Sequence, residues 1–299
     1  MKFTATCRVL GISMLLGMSA RFNFQLPAGV EPGLILGSSL QRPAPAPRHV
    51  PFEVGETFTY NVSWKIFDAG IATMTLAEKF RFQNEEVYKV TATARSTGIV
   101  STLFKVMDVF ESYFQAKEIC SRRISKSIRE GSRQRDSLLV FDSKTRQAKL
   151  EEKDLNRPDV PAKHYESPIP LCVQDILSAL YIIRARNMKV GEQFMFPIND
   201  GGKTYDVGVE VQAAEEIRTP AGIFQTLRLE PKVFDGLFRN KGRMFVWITN
   251  DEARMPVQLK AKINMGTITA ALSKVSQAPT LQAPKSGSPG KTSKRSGAE

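Results

Sequence analysis

The chain is poor in the side chains that carry most enzyme chemistry. Its 299 residues include two histidines, His49 and His164, three cysteines, Cys7, Cys120 and Cys172, and two tryptophans, Trp64 and Trp247. Neither histidine belongs to a His-x-x-x-His or Cys–His cluster, which excludes the usual transition-metal sites. A Ser-His-Asp triad would need one of these two, yet both lie in Pro-rich segments and no Gly-x-Ser-x-Gly elbow is present. A phosphate loop and a dinucleotide fingerprint are also missing, and Asp200-Gly201-Gly202-Lys203 has the spacing of a hairpin turn. Three cysteines exclude a disulfide framework and a cysteine-only zinc site. No cofactor or metal is expected. No apolar run is long enough to cross a bilayer comfortably, so no stable transmembrane span is expected once a leader is removed.

Carboxylates remain. Asp68, Asp175 and Asp251 each lie near a motif, and each has a plain structural role: helix N-terminal charge for Asp175, turn residue for Asp68 and Asp251. The reading therefore leans away from an enzyme. The carbohydrate-active alternative requires two carboxyls across a cleft, with Asp175 and Asp251 facing the same solvent-filled space.

The net charge of +12 is unevenly spread. Residues 1–50 carry Lys2, Arg8, Arg21, Arg42 and Arg48 against Glu31, and residues 276–299 carry Lys285, Lys291, Lys294 and Arg295 against Glu299. The body between them keeps a mild excess, which permits an anionic partner such as a lipid headgroup or glycan without demanding one. Its most basic part, Ile119–Asp142, has no interleaved aromatics of the kind nucleic acid would stack on, so no nucleic-acid partner is expected.

Met1–Ala20 has the layout of a secretory signal peptide: Lys2 and Arg8, an apolar run from Val9 to Met18, then Ser19 and Ala20. A buried N-terminal helix is the other reading. Cys7 precedes the apolar run and cannot be the lipid-bearing cysteine of a lipoprotein. Arg21–Val50 is a Pro-rich linker, and Ser276–Glu299, with Leu281 its one large apolar residue, is a disordered basic tail. The ordered body spans 51–275. Export leaves one cysteine pair, Cys120 and Cys172, either bridged or present as two free buried thiols.

The body reads as strands. Phe58, Tyr60, Val62, Trp64 and Ile66 alternate along Glu56–Phe67, and hairpin partners follow to Thr97. Gly98–Lys105 is a short helix or a bend. Ile119–Asp142 is a long hairpin with Arg123 and Arg129 on one face; neither face is clean, which predicts a sheet edge. Asn156–Pro170 reads as a loop. One segment, Cys172–Arg186, is strongly helical, with Val173, Ile176, Leu177, Leu180 and Ile183 on one apolar stripe. The remaining strands run from Glu192 to Val275, among them Phe224–Phe234, Arg243–Thr249 and Pro256–Ile263. Val54-Gly55-Glu56-Thr57-Phe58 recurs as Val190-Gly191-Glu192-Gln193-Phe194, which suggests two similar halves. The expected fold is mainly β: curved, half-barrel-like antiparallel sheets around one central helix, with disordered tails.

Val246-Trp247-Ile248-Thr249-Asn250-Asp251-Glu252-Ala253-Arg254-Met255-Pro256-Val257 resembles the C-terminal signature of a family of secreted bacterial proteins, domain of unknown function 3108. So does Val173–Arg184, and Gly55-Glu56 with Tyr60 and Asp68-Ala69-Gly70 resembles the family's opening. The resemblance covers Pro51 to Val275. It implies export to a Gram-negative-type envelope, mostly β structure and no established activity, in a form similar in outline to lipoprotein-carrier half-barrels. The resulting expectation is a periplasmic or otherwise exported, non-enzymatic protein that binds a lipid or other hydrophobic ligand in a curved-sheet cleft. Trp64, Phe245 and Trp247 would line that cleft, with Arg123 and Arg129 near its entrance. The alternative is a structural or adaptor module that binds another envelope protein.

Overall fold

The fold was described from a computed structural model, which covers residues 50–233, 242–263 and 266–276. The leader expected at 1–20, almost all of the linker at 21–50 and of the tail at 276–299, and Phe234 lie outside the described residues.

Alternating apolar residues with Gly, Asn and Asp at the turns build one antiparallel sheet of fourteen strands. The first eight are β1 (Thr57–Trp64), β2 (Phe67–Phe82), β3 (Glu85–Ser96), β4 (Met107–Gln115), β5 (Ser121–Glu130), β6 (Arg133–Asp142), β7 (Gln147–Asp154) and β8 (Lys163–Pro168). The last six are β9 (Gln193–Asp200), β10 (Lys203–Thr219), β11 (Gly222–Val233), β12 (Arg243–Thr249), β13 (Pro256–Ile263) and β14 (Gly266–Ser276). Each strand pairs with its neighbours in sequence, except that β8 and β9 do not pair and β1 joins β14. The sheet is thus two meanders fused at β1–β14, with β8 and β9 as its free edges, and it does not close into a barrel. Two short helices are present among the described residues: α1 (Gly98–Leu103) and α2 (Ser178–Arg184). No described helix is long and apolar enough to cross a membrane.

The two edges nevertheless come close. Lys126 on β5 forms an ion pair with Asp200 at the end of β9. A Cβ at Gly202, in the β9–β10 turn, would fall 2.7 Å from the Tyr165 ring on β8, so the turn sits against that edge with no room for a side chain. Gln174 fills part of the gap. Its N–H donates to the Pro197 carbonyl at 2.9 Å, and its carbonyl accepts from Asn199 N–H at 2.8 Å, making a parallel bridge beside β9.

Three expectations are corrected. The helix does not span Cys172–Arg186; it begins at Ser178 and ends at Arg184. Cys172 is tied to Cys120 by a disulfide, Val173 and Gln174 spend their backbone groups on Ser121 and β9, and the Asp175 side chain turns the chain. Non-local bonding therefore takes the residues whose spacing suits a helix. The Ile119–Asp142 hairpin is not at an edge, because β7 and β8 lie beyond it. Asn156–Pro170 is not all loop: Lys163–Pro168 forms β8, an edge strand exposed along nearly its whole length. Its polar sequence hides it, since an edge strand facing water has no apolar face to show.

The two copies of the short repeat make the same structure. Gly55 and Gly191 adopt φ of 94° and 90°, a region that favours glycine. Gly55 N–H donates to the Leu76 carbonyl (2.7 Å) and Leu76 N–H to Glu56 (3.0 Å); Gly191 donates to Val211 (2.8 Å) and Val211 to Glu192 (2.9 Å). A bulge follows at the matching place in each half, between Leu76 and Glu78 on β2 and between Val211 and Ala213 on β10.

The main core joins Phe58, Tyr60 and Val62 of β1 to Leu177 and Tyr181 of the α2 segment, Phe110 and Phe114 of β4, and Ile268, Ala270 and Leu272 of β14. A second cluster places Ile183 and Met188 against β10, β11 and β12. α2 is therefore packed between two cores.

Candidate functional site

The ends of β1 mark two different regions. At its start the interior is sealed by polar bonds. Arg184, the last residue of α2, is 0% exposed. Its guanidinium grips both carboxylate oxygens of Glu56, with Nη2 to Oε2 at 3.0 Å. It also donates to the carbonyls of Pro51 (3.1 Å), Ala253 (3.2 Å) and Arg254 (3.1 Å). The rings of Phe52, Phe58 and Tyr181 lie 5.4, 5.2 and 5.3 Å from it. A buried charge of this kind is tolerable only when paired and fully bonded, and here it is both. Tyr60 adds a further tie, its hydroxyl donating to the Pro256 carbonyl at 2.8 Å. Burial pushes the Tyr60 and Tyr181 hydroxyls well above the usual phenol range. Gly55-Glu56, the helical motif and the Val246–Val257 motif thus meet at one point.

The same end holds Asp175, which is 1% exposed. Its Oδ1 accepts from the backbone N–H of Leu177 (2.7 Å) and Ser178 (3.0 Å), and Asp175 N–H donates back to Ser178 Oγ (2.9 Å). This reciprocal pair closes the turn that leads into α2. Its Oδ2 accepts from the hydroxyls of Ser112 (2.6 Å) and Ser121. Asp175 is therefore turned inward on backbone amides, and the shared solvent-filled cleft that the carbohydrate-active alternative requires is not formed. Asp251 serves the β12–β13 turn, its Oδ1 accepting from Thr249 Oγ1 (2.6 Å) and Arg254 N–H (3.1 Å).

At the far end of β1 the interior opens. A shallow apolar cleft, about 10 Å³ of it enclosed, is lined by Val62 and Trp64 of β1, Ala69 of β2, Ser96 of β3, Val100 of α1, Val106, and Ile268 of β14. α1 buries none of its residues and forms one wall only through Val100. It is anchored beside β2 by Thr97 N–H donating to the Ala69 carbonyl at 3.1 Å. The side chains next to the lining residues are apolar and exposed: Ile66 and Phe67 in and after the β1–β2 turn, Ile99 and Leu103 on α1, and Met107 after Val106.

Close by, Asp108 on β4 is buried. Burial, with a further contribution from the Glu130 carboxyl that faces it, pushes its pKa up to about 7, although Arg129 N–H donates to Oδ1 at 2.9 Å.

Of the expected ligand contacts, Trp64 lines the cleft. Phe245 and Trp247 are not among its lining residues: they pack together with ring centroids 6.0 Å apart, and the Trp247 indole N–H donates to Glu215 Oε1 at 2.5 Å. They face away from Val246 and Ile248, so β12 is buried on both sides. Arg123 lies over the Tyr113 ring at 5.3 Å. Arg129 bonds Asp136 at 2.8 Å and the carbonyls of Ile128 and Arg135. Neither arginine lines the cleft. Val62, Ala69, Val100 and Ile268 were not singled out from the sequence; the available signal was the apolar Ile66, Ile99 and Leu103 placed in a turn and a short helix.

No curated protein matches the chain. Among solved structures, it is similar to a β-barrel-like protein of domain of unknown function 1849 from Brucella abortus, at 6% identity and TM-score 0.49, covering 76% of this chain and 99% of that one. It is also similar to a candidate exported protein with a YmcC-like fold from Bacteroides fragilis, at 11% identity and TM-score 0.35, covering 76% and 98%. A third likeness is to a DUF1089 family protein from Pseudomonas aeruginosa, at 10% identity and TM-score 0.34, covering 65% and 90%. The family model described as Protein of unknown function (DUF3108) matches residues 59–273, and the chain belongs to that family.

Proposed function

We propose that this is an exported bacterial envelope protein that binds the end of a lipid chain, or a similar hydrophobic ligand, in the cleft beneath α1, without catalysing a reaction. The observation that carries the reading is the cleft itself. Its walls are apolar apart from Ser96, it opens at the end of the core opposite the sealed Arg184 network, and it is rimmed by exposed aliphatic side chains. Its enclosed space is about 10 Å³, room for about one methyl-sized group, so a chain end enters by displacing the α1 wall, which buries none of its own residues. Trp64 supplies the one aromatic wall. Export is supported by the leader-like Met1–Ala20 and by the Cys120–Cys172 bridge, which suits an oxidising compartment.

The test is native mass spectrometry after gentle purification, followed by displacement of a fluorescent dye with fatty acids of graded length. A bound apolar adduct and displacement are expected, with affinity at least tenfold weaker in Val100→Phe, where a ring fills the cleft. Bare protein together with no displacement at any chain length would sink the reading.

A further inference from the structure

The apolar rim itself remains unexplained by chain binding, because a ligand inside the cleft needs walls, not greasy side chains pointing into water. Ile66 is 88% exposed, Ile99 80% and Leu103 81%, and Phe67 and Met107 are each more than half exposed. Single exposed aliphatics are ordinary, but these five are concentrated at one end of one molecule. The backbone brings them there: Lys65 N–H donates to the Thr267 carbonyl at 2.8 Å, Thr97 to Ala69 at 3.1 Å, and Ser96 to Val106 at 3.1 Å. The β1–β2 turn, α1 and the start of β4 therefore share a rim. Ile66 occupies the exposed tip of a turn, a place usually taken by a polar residue.

The exposed charge in these segments is mainly positive. Lys65, Arg95 and Lys105 are exposed beside the aliphatic residues, and Asp68 is the one exposed acid among residues 65–68, 95–105 and 107. Apolar side chains at the tips, with cations set next to them, are the combination that lets a surface sit in the boundary between anionic headgroups and acyl chains. A protein partner would have no need of this arrangement around an apolar cleft. A bilayer would, since a chain can then pass between membrane and cleft without crossing water.

We propose that the α1 end of the sheet docks on an anionic membrane surface, with Ile66, Phe67, Ile99 and Leu103 entering the headgroup–acyl boundary and Lys65, Arg95 and Lys105 facing phosphates. The purpose of the docking rests on the cleft being a chain site, but the docking is measured independently of chain binding.

The experiment uses the full-length chain carrying Trp247→Phe, which leaves Trp64 at the mouth of the cleft as the sole tryptophan. Its fluorescence is followed on vesicles of phosphatidylcholine and phosphatidylglycerol that carry bromine on their acyl chains. Quenching of Trp64 is expected, reduced at least fivefold with Ile66→Asp/Leu103→Asp and weakened by salt. Vesicles of phosphatidylcholine alone should quench less. The leader is common to every variant, so attachment through it alone would leave quenching unchanged in Ile66→Asp/Leu103→Asp. Val100→Phe, which blocks the cleft, should lose fatty-acid binding and keep membrane quenching, so the two readings fail separately. Absence of Trp64 quenching in the parent, or equal quenching in Ile66→Asp/Leu103→Asp with the fold intact by circular dichroism, would overturn the proposal.

Discussion

Arg184 and Glu56 lie 128 positions apart and form a two-pronged ion pair inside the protein, closed over by three aromatic rings. The pair holds the first residues before β1, the end of α2 and the β12–β13 turn in one knot. Its counterpart in the second half, Glu192, is exposed, and its carboxylate accepts from Lys189 N–H at 3.2 Å. The two halves share backbone geometry, and one of them has taken the carboxylate inward.

Removing one partner strands the other as a buried charge. Arg184→Met or Glu56→Leu alone is expected to cost about 3–5 kcal/mol. The double variant should lose much less than the sum of the two single losses, because neither charge is then left unpaired. Urea unfolding of the four proteins measures this, and strict additivity would show that the pair is not coupled.

Cys120 and Cys172 close a loop of 52 positions that carries β5 to β8. Cys120→Ser/Cys172→Ser is expected to lower stability by about 2–4 kcal/mol. Reductant should destabilise the parent by a similar amount and leave the double variant unchanged, read as denaturation midpoints with and without dithiothreitol.

Asp108 has a carboxyl whose pKa is raised to about 7 from an unfolded value of 3.8. The folded state therefore binds a proton that the unfolded state has released, and stability falls as pH rises from about 4 through about 7. Asp108→Asn keeps the acceptor for Arg129 N–H and cannot ionise. It should flatten this part of the pH–stability curve and stabilise the protein at pH 8 relative to the parent. Denaturation at pH 4.5, 6, 7 and 8 reads the difference, and parallel curves would remove Asp108 as the cause.

Asp175 satisfies two backbone amides and two hydroxyls. Asp175→Ala orphans all four donors in a dry site and is expected to cost at least about 2 kcal/mol. Asp251→Ala, in an exposed turn, should cost distinctly less. Equal losses in thermal unfolding would contradict the difference in burial.

Much of the strand pattern was readable because alternation is local: Phe58, Tyr60 and Val62 declare their face within five residues. The same locality misled at Cys172–Leu177, where helical spacing was real but Cys120, Ser121 and Pro197 claimed the backbone first. It also hid β8, whose polar residues face water. Trp64 lies beside the cleft at the end of an alternating strand, whereas Trp247 lies in β12, which is buried on both faces, and alternation does not say which face meets a cleft.

From the chain alone came the β class, most of the strands, the short repeat and the three motifs, each written in neighbouring residues. Only the folded chain decided that those motifs meet at Arg184, that Asp175 points inward, and that the opposite end stays open beneath α1. These depend on contacts between distant segments, Cys120 with Cys172 across 52 positions and Glu56 with Arg184 across 128, and pairing at that range is set by the register of the whole sheet, which no short window of sequence contains.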